Sequence, residues 1–310
     1  MKLSLLLSKR NLWKTYLFKL EKNESIFSCK LITPLKVIGP TTIRINKEYF
    51  HTSADPFLFV EKDQLYIFYE RKTDFSKGSI YVQRYDGQNW FDFGCVIHEK
   101  FHLSYPQIFR YKNKIYMIPE TEEDGKLWLY ESSNFPNNWF QRKILISEKL
   151  VDTNILIKEE GIFLIGSNIN FGLCVYFSKE LLDNFLCIYR ENKNDLSTSR
   201  NAGSIIKERN KYYRIFQDGS SFYGEKIGVS EILNINETNY SEIIIDKNIF
   251  NKRIFIKKII GHHHISSIIY KDMQYVAIDL LSKDILFNTF TYGLIKFINL
   301  FERFKWNFLK

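Results

Sequence analysis

One phrase returns five times along this chain, and its spacing constrains the fold more than any single residue does. The copies open at Asp55-Pro-Phe-Leu-Phe, Tyr105-Pro-Gln-Ile-Phe, Asp152-Thr-Asn-Ile-Leu, Ala202-Gly-Ser-Ile-Ile and His264-Ile-Ser-Ser-Ile. After a polar spacer each closes on a second apolar run: Tyr66-Ile-Phe-Tyr-Glu70, Tyr116-Met-Ile-Pro-Glu120, Phe163-Leu-Ile-Gly-Ser167, Tyr213-Arg-Ile-Phe-Gln217 and Tyr275-Val-Ala-Ile-Asp279. Each copy reads as a strand, a tight polar turn and a returning strand rich in aromatics. The openings fall 50, 47, 50 and 62 residues apart. A β-hairpin repeating at roughly 50 residues is the signature of a propeller blade. Five copies predict an all-β fold, a five-bladed β-propeller with short helical extensions at the two ends.

The repeat also says where chemistry would sit. The innermost strand of each blade lines the central channel, so Asp55, Tyr105, Asp152, Ala202 and His264 are expected to converge on the axis. The second strand of a hairpin returns to the face where the first began. Glu70, Glu120, Ser167, Gln217 and Asp279 should therefore join the same mouth. The hydrophobic frame persists from copy to copy while these mouth positions diverge, which marks them as the functional set.

Length and composition set the remaining bounds. The 310 residues suffice for one large domain, divided here into an N-terminal extension (1–34), the propeller (35–284) and a C-terminal tail (285–310). The formal charge of +9 favours anionic partners. The same excess of Lys, Asn and Ile is what an AT-rich coding sequence produces, so charge alone selects none. Cys29, Cys95, Cys174 and Cys187 show no metal-binding spacing and read as free thiols of a reducing compartment. The apolar start Leu3–Leu7 is broken by Ser8-Lys9-Arg10 and lacks a cleavage site, so no secretory signal is expected. No apolar run approaches about 18 residues, so no membrane span is expected either. These features predict a cytoplasmic protein. Residues 1–22 mix apolar and basic residues at helix-like spacing. Residues 285–310 crowd Phe297, Phe301, Phe304, Trp306 and Phe308 among Lys296, Arg303, Lys305 and Lys310. That tail suits an amphipathic helix lying in a membrane interface, peripheral on the inner face of the cytoplasmic membrane, or one packed against protein.

Several constellations carry possible chemistry. Asp55 and Asp152 place two carboxylates on non-adjacent blades facing one cavity, as glycosyl chemistry uses them. His102, in Phe-His-Leu-Ser-Tyr105-Pro, and Glu120, after the strand proline Pro119, reach the same mouth. Arg200, before Asn201-Ala-Gly203, could bind a carboxylate or phosphate bidentately. Gln217 and Asp218 end the partner strand. Among His262, His263 and His264 at most two share a strand face, and no third ligand at metal spacing accompanies them, so neither metal nor cofactor is expected. No nucleic-acid module or dense basic stripe occurs in the propeller, so nucleic acid is not an expected partner.

The motifs Ala54-Asp55-Pro-Phe57, Phe68-Tyr-Glu70, His102-Leu-Ser-Tyr-Pro106, Ile118-Pro-Glu-Thr121, Leu150-Val-Asp152, Asn201-Ala-Gly203, Gln217-Asp218 and Gly261-x-His263 resemble a bacterial and plant domain. It is the N-terminal domain of glucosamine inositolphosphorylceramide transferase-like proteins, itself similar to the five-bladed arabinanase, xylosidase and fructosidase-like hydrolases. The resemblance covers about residues 35–280 and implies carbohydrate handling. Those hydrolases place acidic residues in blades one and three and a general-acid Glu at the start of blade four. Here blade four begins with Ala202, which supplies no proton.

A phosphate leaving group needs positive charge rather than a proton. The leading expectation is therefore a glycosyltransferase-like enzyme of surface-polysaccharide or lipopolysaccharide assembly. It would move a sugar from a sugar nucleotide or other phosphate-activated donor to a glycan or lipid-linked acceptor. Asp55, Asp152 and Glu120 are the candidate catalytic residues. His102, Tyr105, Glu70, Arg200, Gln217, Asp218, His263 and His264 are the candidate substrate-binding residues. A glycoside hydrolase using Asp55 with Glu120 as acid, and a non-catalytic carbohydrate-binding propeller, stay open as alternatives.

Overall fold

The structure is a computed structural model describing residues 7–22, 24–39, 51–73 and 76–287, which form five four-stranded antiparallel sheets. The chain enters through β1 (Leu7–Glu21) and β2 (Lys36–Ile38). Blade one follows as β3 (His51–Glu61), β4 (Gln64–Thr73), β5 (Ser79–Tyr85) and β6 (Trp90–Ile97). Blade two is β7 (Ser104–Tyr111), β8 (Lys114–Glu120), β9 (Leu127–Asn134) and β10 (Asn138–Ile146). Blade three is β11 (Val151–Lys158), β12 (Gly161–Asn168), β13 (Gly172–Ser178) and β14 (Leu186–Arg190). Blade four is β15 (Ile206–Glu208), β16 (Lys211–Asp218), β17 (Lys226–Asn236) and β18 (Asn239–Asp246). Blade five joins β19 (Ile259–Tyr270) and β20 (Met273–Phe287) to β1 and β2, in the order β19-β20-β1-β2.

All five repeated phrases are the inner hairpins of blades, as the spacing requires. Their turns are two-residue connections, and four of them set both residues at positive φ: Lys62-Asp63, Lys112-Asn113, Arg209-Asn210 and Lys271-Asp272. That geometry matches the right-handed twist of the flanking strands. Apolar side chains then fill the seams between blades. Phe57 and Phe68 meet Tyr105 and Met117 between blades one and two, for example, and Leu156 and Phe163 meet Ile232 and Tyr240 between blades three and four.

The N-terminal segment departs from the expectation of a helix. Leu7–Glu21 is a strand paired along its whole length with β20, from Leu7↔Phe287 to Glu21↔Met273. It closes the ring by completing blade five. Helix-like spacing arose because both faces of this strand are covered. Tyr16 and Phe18 pack toward blade four while Leu17 packs toward blade one, so no clean alternation survives. β20 likewise continues to Phe287, beyond the expected boundary at 284. The rest of the tail, 288–310, lies outside the described residues. Among those residues no helix is long and apolar enough to cross a membrane.

Candidate active site

Inner strands β3, β7 and β11 share a local distortion. Asp55, Tyr105 and Asp152 have φ of 50°, 46° and 46°, each at a register shift against the returning strand. A bulge of this kind re-aims a side chain. A bulky residue such as tyrosine held at positive φ is costly and persists only where its surroundings over-determine it.

Those surroundings are hydrogen bonds passed from blade to blade. The Asp55 amide donates to Asp279 Oδ2 at 2.9 Å, and the Tyr105 amide donates to Asp55 Oδ2 at 3.1 Å. The Asp152 amide donates to Glu120 Oε2 at 3.2 Å. Asn201 Nδ2 donates to the Asp152 carbonyl at 2.7 Å. The carboxylates of Asp279, Asp55 and Glu120 therefore fix the starts of β3, β7 and β11.

Beneath the mouth the channel is plugged. The Tyr105 hydroxyl lies 3.0 Å from both Asn154 Oδ1 and the Gly203 carbonyl, and the Gly203 amide donates back to it at 3.1 Å. His264 packs edge-on against Phe57 and Tyr105. Tyr105 and His264, expected to contact substrate, are thus buried channel filling. Asp218 is also removed from that role: its carboxylate accepts from the Ser220 amide and hydroxyl and faces Lys226, which caps the β16–β17 loop.

The remaining residues converge. Arg200 Nε is ion-paired with Asp152 Oδ2, and its Nη2 lies 3.6 Å from Glu120 Oε2. Gln217 Nε2 donates to Asp152 Oδ2 at 3.0 Å. His102 accepts from the Gly78 amide on Nδ1 at 2.9 Å, which leaves Nε2 facing Glu70 Oε1 at 3.4 Å. Burial and then Lys72 lower its pKa, so it presents a neutral Nε2–H. His263 sets Nδ1 2.7 Å from Asp279 Oδ2 and Nε2 3.6 Å from Asp55 Oδ1. Burial would discharge its ring, but Asp279 and Asp55 outweigh it and push the pKa up to about 9. Asp55, His263 and Asp279 also bring possible ligand atoms within 4.8 Å of one another. The His263 ring lies between the two carboxylates, with Nδ1 toward Asp279 and Nε2 toward Asp55.

Trp13 and Tyr223 complete the site, and Trp13 was missed in the sequence. Trp13, on β1, stacks on His263 at 4.0 Å between centroids, with Tyr223 edge-on to both rings. His263, expected to contact substrate, is consequently only 3% exposed and faces Asp55 instead. Trp13 was hidden because its segment read as a separate helix.

Burial first, and then neighbouring carboxylates, push Asp55 well above the usual carboxylate range. Burial also raises Glu70 to about 7 and, with help from Asp152, Glu120 to about 8. Glu70, Glu120 and His263 therefore hold protons more tightly folded than unfolded. The native state binds the extra protons between the ordinary carboxylate value of 4.5 and about 9, so stability is full at the acid end and is lost as pH rises. We expect the thermal midpoint to fall from about pH 5 to about pH 9, and Glu120→Gln to flatten that slope. A midpoint that climbs across this range in differential scanning fluorimetry would contradict the assigned charge states.

Fold and site together define a five-bladed β-propeller with an acid-lined mouth. In fold it is similar to the catalytic domain of an α-L-arabinofuranosidase from Coprinopsis cinerea, with a TM-score of 0.57 and 10% identity over 87% of this chain and 97% of that one. Residues 38–279 match the family described as glucosamine inositolphosphorylceramide transferase 1, N-terminal, and the chain belongs to that family. It is 35% identical over 207 residues to glucosamine inositolphosphorylceramide transferase 1 of Arabidopsis thaliana, covering 61% of this chain and 26% of the relative. The protein of that name from Oryza sativa subsp. japonica is 33% identical over 212 residues, covering 63% and 28%. The chain thus spans about a quarter of the length of these relatives.

Proposed function

We propose that this mouth is the active site of a glycosyl-transferring enzyme that moves a sugar from a phosphate-activated donor, such as a sugar nucleotide, to a glycan or lipid-linked acceptor in surface-polysaccharide or lipopolysaccharide assembly. The observation that carries the reading is the division of charge at one mouth. Two ion pairs, Asp152–Arg200 and Asp279–His263, flank three carboxyl groups that burial drives toward their neutral forms, Asp55, Glu70 and Glu120.

Each part then has a task. Asp55, made a stronger base by the burial that raises its pKa, takes the proton of the acceptor hydroxyl. Asp279 and His263 hold it in place. Glu70, His102 and Gln217 offer donors and acceptors to sugar hydroxyls. A protonated Glu120 makes only a weak claim on Arg200, which leaves the guanidinium edge free for a phosphate oxygen. The names of the plant relatives, which are transferases, support the same class.

A second reading has one specific observation in its favour. Glu120 at about 8 carries a proton at neutral pH and could deliver it to an alcohol leaving group, which would make the site hydrolytic. Incubating the protein with a panel of sugar nucleotides, with and without acceptor glycans, separates these cases. Acceptor-dependent donor consumption is expected. Release of free sugar from a glycan would instead establish hydrolysis, and binding without turnover would establish a lectin-like propeller.

A further inference from the structure

One step outside the mouth carboxylates, a single blade carries a cation. The residues two places beyond Glu70, Glu120, Ser167, Gln217 and Asp279 are Lys72, Glu122, Ile169, Gly219 and Leu281, so only blade one is positive at this point of the repeat. Side chains two apart on a strand share a face. Glu70 and Lys72 both belong to β4, where Glu70 pairs with Ala54 and Lys72 with Thr52. Lys72 therefore stands on the Glu70 side of the strand, roughly 7 Å further out of the mouth.

An exposed lysine is ordinarily a solvated one, and three observations set this one apart. Its ammonium exerts the largest charge effect on both Glu70 and His102, so it lies beside two groups that already face each other at 3.4 Å. Its basic neighbours are neutralised and it is not. Lys77 pairs with Glu123, Lys149 with Glu122 and Arg200 with Asp152, whereas Lys72 has no carboxylate partner among the described residues. The groups beside it are also fixed in place. The Gly78 amide donates to His102 Nδ1, and a Cβ at Gly78 would lie 2.6 Å from both Glu70 Oε1 and His102 Cε1, so the backbone there presses on both side chains.

We propose that Lys72 is a substrate-binding residue that takes the second phosphate of a diphosphate-linked sugar donor, while Arg200 takes the first. The inference rests on the glycosyl-transfer reading and narrows its donor to a diphosphate ester. Lys72 and Arg200 both act on the His102 ring, so the two cations serve one region of the mouth. As the acceptor oxygen bonds to the anomeric carbon, its proton passes to Asp55 and the electron pair of the breaking C–O bond stays on the diphosphate. An uncompensated ammonium and a guanidinium are suited to the charge that develops there. A nucleoside or a polyprenyl chain can carry that diphosphate.

Isothermal titration of the full chain with inorganic pyrophosphate tests the assignment, with inorganic phosphate, uridine diphosphate and farnesyl diphosphate in parallel. Pyrophosphate should bind the parent. Lys72→Met should weaken it about tenfold or more, and Lys72→Arg should restore most of the affinity. Inorganic phosphate, which needs only one cation, should lose much less. Lys77→Met removes a charge already paired with Glu123 and should change pyrophosphate binding little. Because Lys72 is exposed, its variants should keep the parent's thermal midpoint. Tighter binding of one of the two esters identifies the carrier. Equal pyrophosphate affinity in Lys72→Met and the parent, an equal loss in Lys77→Met, or no binding by the parent would overturn the proposal. The two readings fail separately. Acceptor-dependent donor consumption by Lys72→Met at the parental KM would remove Lys72 and leave glycosyl transfer standing, whereas release of free sugar from a glycan would remove the transfer reading itself.

Discussion

Replacing Asp55 by asparagine should leave a folded propeller that no longer turns over, with a rate about 10²–10⁴-fold below the parent. The substitution suits the site unusually well as a test. Asp55 sits at φ 50°, and asparagine is among the few residues that tolerate the left-handed region. Its side-chain oxygen can still accept from the Tyr105 amide, so the start of β7 stays anchored. What is lost is the capacity to take a proton, together with one of the carboxylates that hold His263 charged. The thermal midpoint should accordingly stay level or rise, because a buried ionisable group has been removed. Rates would be measured with whichever donor and acceptor the panel reveals, beside Asp152→Asn. That variant should be milder and shift the pH optimum, since Asp152 touches Arg200 and Gln217 rather than the reacting hydroxyl. Full activity in Asp55→Asn would remove Asp55 from the mechanism.

The blades were legible in the sequence because a propeller repeats its hydrophobic frame locally: each inner hairpin is built within about 25 residues and carries its own turn. The same equivalence located Asp55, Glu70, Glu120, Asp152 and Gln217 at one mouth, since residues at matching points of a repeat reach matching heights. Height along the strand is all that the repeat specifies. Which way a bulged residue points depends on its neighbours, so Tyr105 and His264 turned out to plug the channel below the mouth. Asp218 followed a local rule that was readable in principle, because Asp-Gly-Ser after a strand is a strong turn signal in which the aspartate bonds its own loop.

The closure of the ring was the least legible feature. Pairing Leu7 with Phe287 spans nearly the whole chain, and no local pattern encodes a contact of that separation. Trp13 was lost with it. The consequence reaches the chemistry, because Trp13 backs the His263 ring that faces Asp55. The site therefore depends on the strand that closes the fold, a coupling that a blade-by-blade reading cannot supply.

That dependence on the axis makes Gly203→Ala the most damaging single substitution we expect for stability. Gly203 has φ 142°, a conformation that side-chain-bearing residues rarely adopt, and an added Cβ would overlap the carbonyl oxygen of Ile265 and lie 3.0 Å from its carbonyl carbon. Both atoms belong to the backbone of β19, so no flexible side chain can move aside. The same residue receives Asn154 Nδ2 at 2.8 Å and exchanges two hydrogen bonds with the Tyr105 hydroxyl, so blades two, three, four and five meet there. Strain of about 1–3 kcal/mol adds to a similar cost for overpacking, for a loss of about 3–5 kcal/mol. In a domain of this size that lowers the midpoint by about 10 °C. Gly125→Ala supplies the comparison, because Gly125 also has positive φ (78°) but open space where the Cβ would go. It should lose only about 1 kcal/mol. Thermal unfolding of the two variants decides the point: equal losses would mean that backbone conformation alone matters, and that the blades do not meet as tightly at Gly203 as the axis contacts require.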